Sequence, residues 1–149
     1  MNAKEYDEIL KPLHHSWISN ATMKLRLQFN SIRLRLKRRE VAQFPQGGRV
    51  EEKIIFGTAD DQTFHYVLEA TDVVSSPRGT ITSKGIVVQV PVPAAMTWVY
   101  TDQVGIEGEQ SVNSQANLRI LIEKDFACVD GTEELNADTF PNPLAGTKC

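Results

Sequence analysis

Lys24 and Arg26 on one side of Asn30, and Arg33, Arg35 and Lys37 on the other, alternate with Leu25, Leu27, Leu34 and Leu36. Alternation puts like residues on one face of a strand, so these five cations can gather on a single surface. A guanidinium presents a planar fork of donors that matches a carboxylate or a phosphate, and the chemistry implied is anion binding. Glu107 and Glu109 alternate in the same way, and Glu123 follows in a later strand. Carboxylates on one face can hold Mg²⁺, the hard cation of phosphoryl chemistry. Two readings follow. In the first, Arg26, Arg33, Arg35, Lys24 and Lys37 attract an anion without catalysis, and no cofactor is expected. In the second, Arg26, Arg33 and Arg35 grip phosphate while Glu107, Glu109 and Glu123 hold Mg²⁺ for a metal-assisted phosphohydrolase.

Other chemistries find no foothold. The sequence has no Gly-rich phosphate loop and no GxSxG, HExxH or CxxC motif. His14 and His15 lie in an N-terminal segment apart from the main pattern, and His65 shares a strand face with Glu69, where it reads as part of an ionic network. Cys128 and Cys149 form no CxxC pair and read as free thiols, Cys128 being a small core residue after Phe126 and Ala127. Asp130-Gly131 is no calcium loop, because Phe126 and Cys128 stand where oxygen ligands belong. Residues 23–53 carry nine Lys and Arg against three Glu, a balance of +6 within a chain of net charge −3. That asymmetry suits a small anionic ligand or an acidic protein surface, or neutralisation by acidic strands carrying Glu51, Glu69, Glu107, Glu109 and Glu123. Nucleic acid is disfavoured, since the aromatics fall at core positions and the total charge is negative. With 41% hydrophobic and 23% charged residues the chain should pack a core, and it has no apolar run long enough for a membrane span. The charged N-terminus is unlike a signal peptide, so a cytosolic protein is expected.

The elements that must position these residues are short. Residues 1–22 form an extension, with Asn2 and Glu5 at capping-box spacing and Tyr6, Ile9, Leu10 and Leu13 along one helical face. Period-two alternation begins at Met23. It skips phase at Asn30-Ser31, which predicts a two-residue hairpin loop there, with Phe29 opposite Ile32, Leu27 opposite Leu34 and Leu25 opposite Leu36. In that register Lys24 faces Lys37, Arg26 faces Arg35 and Gln28 faces Arg33. A short helix carrying Val41 and Phe44 ends at Pro45 and Gly47-Gly48. A second hairpin follows, with Val50, Ile54 and Phe56 in one strand and Phe64, Tyr66 and Leu68 in the next.

The order then repeats. Ile81, a turn at Ser83-Lys84-Gly85, and Ile86, Val88 and Val90 make a hairpin; Pro93 opens a helix with Met96, Val99 and Tyr100; Val104 and Ile106 lead through a polar loop at 111–115 to Leu118, Ile120 and Ile122. An offset of 54 places Leu27 on Ile81, Leu34 on Val88, Phe44 on Trp98, Val50 on Val104 and Tyr66 on Ile120. The expectation is an α+β domain over 23–128 made of two ββαββ repeats, forming an eight-stranded antiparallel barrel or curved sheet with two short helices, apolar faces inward and charged faces outward. Residues 129–149 read as a polar C-terminal tail.

The segments MKLRLQFNSIRLRLKRREV at 23–41, GRVEEKIIFG at 48–57, VGIEGEQ at 104–110, LRILIEKDFAC at 118–128 and FPNP at 140–143 together resemble an uncharacterised family of small bacterial proteins. The likeness spans about residues 23–143 and implies a compact bacterial cytosolic domain, with no catalytic residues to carry over. A looser likeness, of topology, is to the triphosphate tunnel enzymes, which bind triphosphate and metal inside a barrel. Their ExExK signature is missing; the alternating pair Glu107 and Glu109 is its nearest counterpart, and Thr80, Thr82, Val87 and Gln89 stand at the second-half positions matching the basic hairpin.

Overall fold

The computed structural model describes residues 23–126 and Phe140. The N-terminal extension, Cys128, Cys149 and nearly all of the C-terminal tail lie outside the described residues.

The chain runs β1 (Lys24–Gln28), β2 (Ser31–Leu36), α1 (Arg38–Gln43), a 3-10 turn (Phe44–Gln46), β3 (Arg49–Ile55), β4 (Thr63–Thr71), β5 (Arg78–Thr82), β6 (Gly85–Pro91), α2 (Val92–Tyr100), β7 (Gly105–Asn113) and β8 (Ala116–Lys124). Among the described residues the fold is α+β, with eight strands and two helices. The strands form two separate four-stranded mixed sheets instead of the expected antiparallel barrel. The first has the order β1-β2-β8-β7 and the second β3-β4-β6-β5. In each, two antiparallel hairpins meet along a central parallel pair, β2 with β8 and β4 with β6. The parallel contact is possible because the connections between these strands are long, where a tight turn would enforce an antiparallel neighbour.

Both helices sit at one end and cross between sheets: α1 leads from β2 to β3, and α2 from β6 to β7. Their aromatics meet there, the rings of Phe44 and Trp98 lying edge to face at 6.3 Å and 81°. Trp98 also donates its indole N–H to the Val104 carbonyl at 3.0 Å, so its one polar atom is satisfied in the core. Inward-facing Ile32, Leu34 and Leu36 of β2 and Ile120 and Ile122 of β8 share one buried cluster with Leu68, Val88 and Val90 of the second sheet. The apolar faces therefore point inward and Arg26, Arg35 and Glu109 lie on the outside. At the turn end the core stays open: Leu27 and Ile81 are 56% and 82% exposed.

Two turns differ from expectation. The first hairpin closes on Phe29-Asn30, with φ of 49° and 54°. A two-residue hairpin turn of this hand needs positive φ at both positions, which asparagine tolerates and serine does not favour. Contacts to β8 hold it, since Asn30 Nδ2 donates to the Asn117 carbonyl at 2.8 Å and the Asn30 carbonyl accepts the Arg119 N–H at 3.1 Å. The observed pairs are Leu25 with Leu34, Leu27 with Ile32, Arg26 with Arg33 and Lys24 with Arg35. Moving the loop by one residue changes the pairing by two, so every side chain keeps its face except Phe29, which is expelled and 89% exposed. In the last hairpin, the expected loop at 111–115 is mostly strand, β7 continuing to Asn113.

Phe29, 89% exposed, buries little surface to offset its left-handed backbone, a conformation that costs an ordinary residue about 1–2 kcal/mol. Phe29→Asn is expected to raise unfolding stability by about 1 kcal/mol in urea denaturation; a loss of stability would show that the phenyl ring contributes more than its backbone strain costs.

Candidate functional site

Register places the charges on the outer face of the first sheet. Parallel pairing sets Ser31 beside Arg119, Arg33 beside Leu121 and Arg35 beside Glu123. On the far side of β8, Arg119 faces Glu109, Leu121 faces Glu107 and Glu123 faces Gly105. Cations on β1 and β2 thus lie at one side, carboxylates on β7 at the other, and β8 between them.

The basic hairpin is largely neutralised from within. Arg33 Nε is bonded to Glu123 Oε1, Lys24 Nζ lies 2.9 Å from Asp125, and Arg35 lies 3.7 Å from the same carboxylate. The hydrogen-bonded Lys24 ammonium, with Arg35 and Lys37 adding their charge, holds Asp125 below the usual carboxylate range. At Gly105 a Cβ would come 2.7 Å from the Ile122 carbonyl oxygen and 3.3 Å from Glu123 Cγ, so a side chain there would crowd the β8 backbone beside this network. Lys37 serves as the N-cap residue of α1, its backbone N–H bonding Glu40. Among the described residues Arg26 has no ion-pair partner. The five cations of the anion hypothesis therefore divide, three being tied to acids and two not.

Beside this network lies a cavity of about 400 Å³ whose lining includes Ser31, Arg33, Glu107, Glu109, Arg119 and Leu121. It brings one residue of the anion set, Arg33, together with two of the metal set. Arg119 was not singled out in the sequence, although its place on the polar phase of β8, two residues before Leu121, marks it as outward-facing. Arg119 and Glu109 are ladder partners, yet neither forms a salt bridge among the described residues, and Glu107 is also unpaired there. Glu123 is drawn toward Arg33, and no three His, Cys, Asp or Glu side chains among the described residues come together as a metal site.

The second sheet carries a smaller outer cavity, about 190 Å³, with His65, Glu51, Arg49 and Lys84 in its lining. His65 Nδ1 is 2.9 Å from Glu51 Oε1, while Glu69, the neighbour expected for it, lies 3.8 Å from Arg49. Lys53 is the direct ladder partner of His65. At the turn beside them Gly85 has φ 147°, and a Cβ would fall 1.8 Å from the His65 carbonyl oxygen, so only glycine lets β6 approach β4 here.

A polar cluster also lies inside the fold. Glu52 falls on the apolar phase of β3, between Val50 and Ile54, an anomaly visible in the alternation itself. Glu52 Oε1 accepts the Met23 N–H at 3.2 Å, and the Tyr66 hydroxyl donates to the Met23 carbonyl at 2.6 Å. Glu40 is 2% exposed. Its Oε1 accepts the Lys37 N–H at 3.0 Å, but among the described residues its Oε2 has no hydrogen-bond partner. As a carboxylate Glu40 would leave that oxygen orphaned; as a carboxylic acid it can donate to Glu52. Burial first, then the charge of Glu52 and the hydrogen bond to it, push the Glu40 carboxyl up to about 8, against a partial pull downward from the Lys37 N–H. Burial and the two carboxyls raise the Tyr66 phenol as well.

A family model described as a family of unknown function, DUF7009, matches residues 23–144. No curated protein and no solved structure matches the chain.

The Glu40 proton has a thermodynamic consequence. An unfolded chain ionises this residue near 4.5, while the folded chain keeps its proton to about 8, so unfolding releases a proton between those values. The stability it contributes is fully present below pH 4.5 and is lost as pH rises to about 8, with a slope of at most about 1.4 kcal/mol per pH unit. In Glu40→Gln the amide replaces the carboxylic O–H as donor to Glu52. This variant should lack that slope in denaturation curves between pH 5 and 8 and should be the more stable protein at pH 8. Parallel slopes in the two proteins would show that Glu40 is ionised when folded.

Proposed function

We propose, from the premise that the chain belongs to this family of unknown function, that it is a small non-catalytic cytosolic binding protein whose ligand lies on the outer face of the first sheet. The observation that carries the reading is Arg119. It lines the cavity beside Arg33, and its guanidinium, unpaired among the described residues, is free to bond an anionic group although Glu109 stands opposite it in the ladder. Arg33 uses its Nε on Glu123 and keeps its terminal nitrogens for the same anion. Arg26, the ladder partner of Arg33, adds a third positive charge at the rim. No helix among the described residues is long and apolar enough to cross a membrane, which is compatible with this reading.

The proposal includes an internal duplication. Its support is that adding 54 to the bounds of β1 yields those of β5, that the first residues of β2 and α1 map onto those of β6 and α2, and that Phe44 maps onto its contact partner Trp98. At the outer positions of the second sheet equivalent to Arg33 and Arg119 stand Val87 and His65. The same architecture is thus built there without the paired arginines, which argues that the fold does not require them. The alternative, phosphohydrolysis with Mg²⁺ on Glu107, Glu109 and Glu123, has less support, since Glu123 is engaged by Arg33 and no third ligand joins the other two among the described residues.

Titration of the full chain with inorganic phosphate and with acetate, followed by amide NMR, should shift residues 31–33 and 119–121. Arg119→Ala should weaken that binding roughly tenfold while leaving stability within about 0.5 kcal/mol. Turnover in a broad phosphoester and triphosphate screen, lost in Arg35→Ala, would replace this reading with the enzymatic one. Shifts confined to other surfaces would remove the groove.

A further inference from the structure

The groove is bipolar, and its polarity has a length. Arg33 and Glu107 are both ladder partners of Leu121, one through the parallel pair and the other through the antiparallel pair. They stand two interstrand spacings apart, about 10 Å. The row reads Arg26, Arg33, Leu121, Glu107: two cations, an apolar floor and an anion. Glu109, one strand position pair further on the same face of β7, doubles the negative end, and Arg119 lies between the poles. A simple anion uses only one end of this row, and the two carboxylates within the cavity oppose it.

We propose that the ligand class of this groove is a short unmodified peptide bound as a zwitterion. Its C-terminal carboxylate sits on Arg33 beside Arg26 and its N-terminal ammonium on Glu107 and Glu109. An extended chain advances about 3.3 Å per residue, so a tripeptide places its terminal charges about 10 Å apart, the span of the row. A free amino acid is too short to reach both poles. A central side chain would rest on Leu121, and Arg119 is placed to donate to a peptide carbonyl. The specificity comes from charges left unpaired by a wrong ligand, which at a partly desolvated site costs more than a matched pair gains. The inference rests on the binding reading and adds the ligand's second charge and its length.

The test uses the full chain and four probes: trialanine, N-acetyl-trialanine, trialanine amide and inorganic phosphate. Trialanine is expected to shift amides on β2, β7 and β8 together, and capping either terminus should weaken binding roughly tenfold. Glu107→Gln should narrow the gap between trialanine and its N-acetyl form, the double variant Glu107→Gln with Glu109→Gln should close it, and phosphate binding should tighten in both. If the acetylated peptide or phosphate binds the unmodified chain as tightly as trialanine, the groove is a simple anion site: the zwitterion inference fails and the binding reading stands. If none of the four shifts residues 31–33, 107–109 or 119–121, both fail.

Discussion

The parallel contact between β2 and β8 is the constraint on which the surface chemistry depends. It joins a hairpin near the start of the domain to one near its end, and its register decides which charges meet. Lys24 facing Arg35 and Arg26 facing Arg33 would be a destabilising ladder of like charges in an isolated hairpin. Beside β8 the same ladder acquires Glu123 and, just beyond the strand, Asp125, whose N–H bonds the Leu36 carbonyl. The repulsion within one hairpin thereby becomes attraction between two, favouring this partner over another copy of the basic hairpin. The groove is what remains of the same face after that neutralisation, toward the turn end where Asp125 does not reach.

Much of the fold was legible in the sequence, because alternation is a property of each strand alone. Leu25, Leu27, Ile32, Leu34 and Leu36 share the inner face in either register of the first hairpin, so the face assignment survived an error in the loop. The error arose because the loop position is decided across the sheet, by Asn30 bonding Asn117, which no local pattern reveals. The same limit hid the two-sheet arrangement. Eight amphipathic strands satisfy the pattern of a barrel and of two sheets equally, and the choice depends on parallel pairs between strands far apart in sequence.

The candidate site was legible in part and for similar reasons. Arg33, Glu107 and Glu109 announce themselves by alternation, but that two of the five cations would stay outside the ion pairs could not be read from residue types. Asp125, beyond the last strand, looked like the start of a tail, yet it is the acid that holds Lys24 and Arg35. Glu40 was hidden in a helix of six residues, RREVAQ, whose charged composition reads as a solvated turn. Its burial follows from Val41, Ala42 and Phe44, which draw the helix into the core and take Glu40 along. Glu52 was the better signal, a carboxylate in apolar phase, and such a residue asks for a buried partner before any function is assigned to it.

The two sheets also differ in when they can exist. The second sheet is drawn from one continuous stretch, Arg49 to Pro91, whereas the first needs Lys24–Leu36 and then Gly105–Lys124. A ribosome making about 5–20 residues per second therefore delivers β1 and β2 some seconds before the strands that neutralise and cover them. During that interval the basic hairpin is a free sheet edge with an uncovered apolar face. Two such hairpins meeting edge to edge would set like charges opposite each other, so the same positive charge that lines the groove in the finished protein disfavours pairing between nascent copies until β8 arrives.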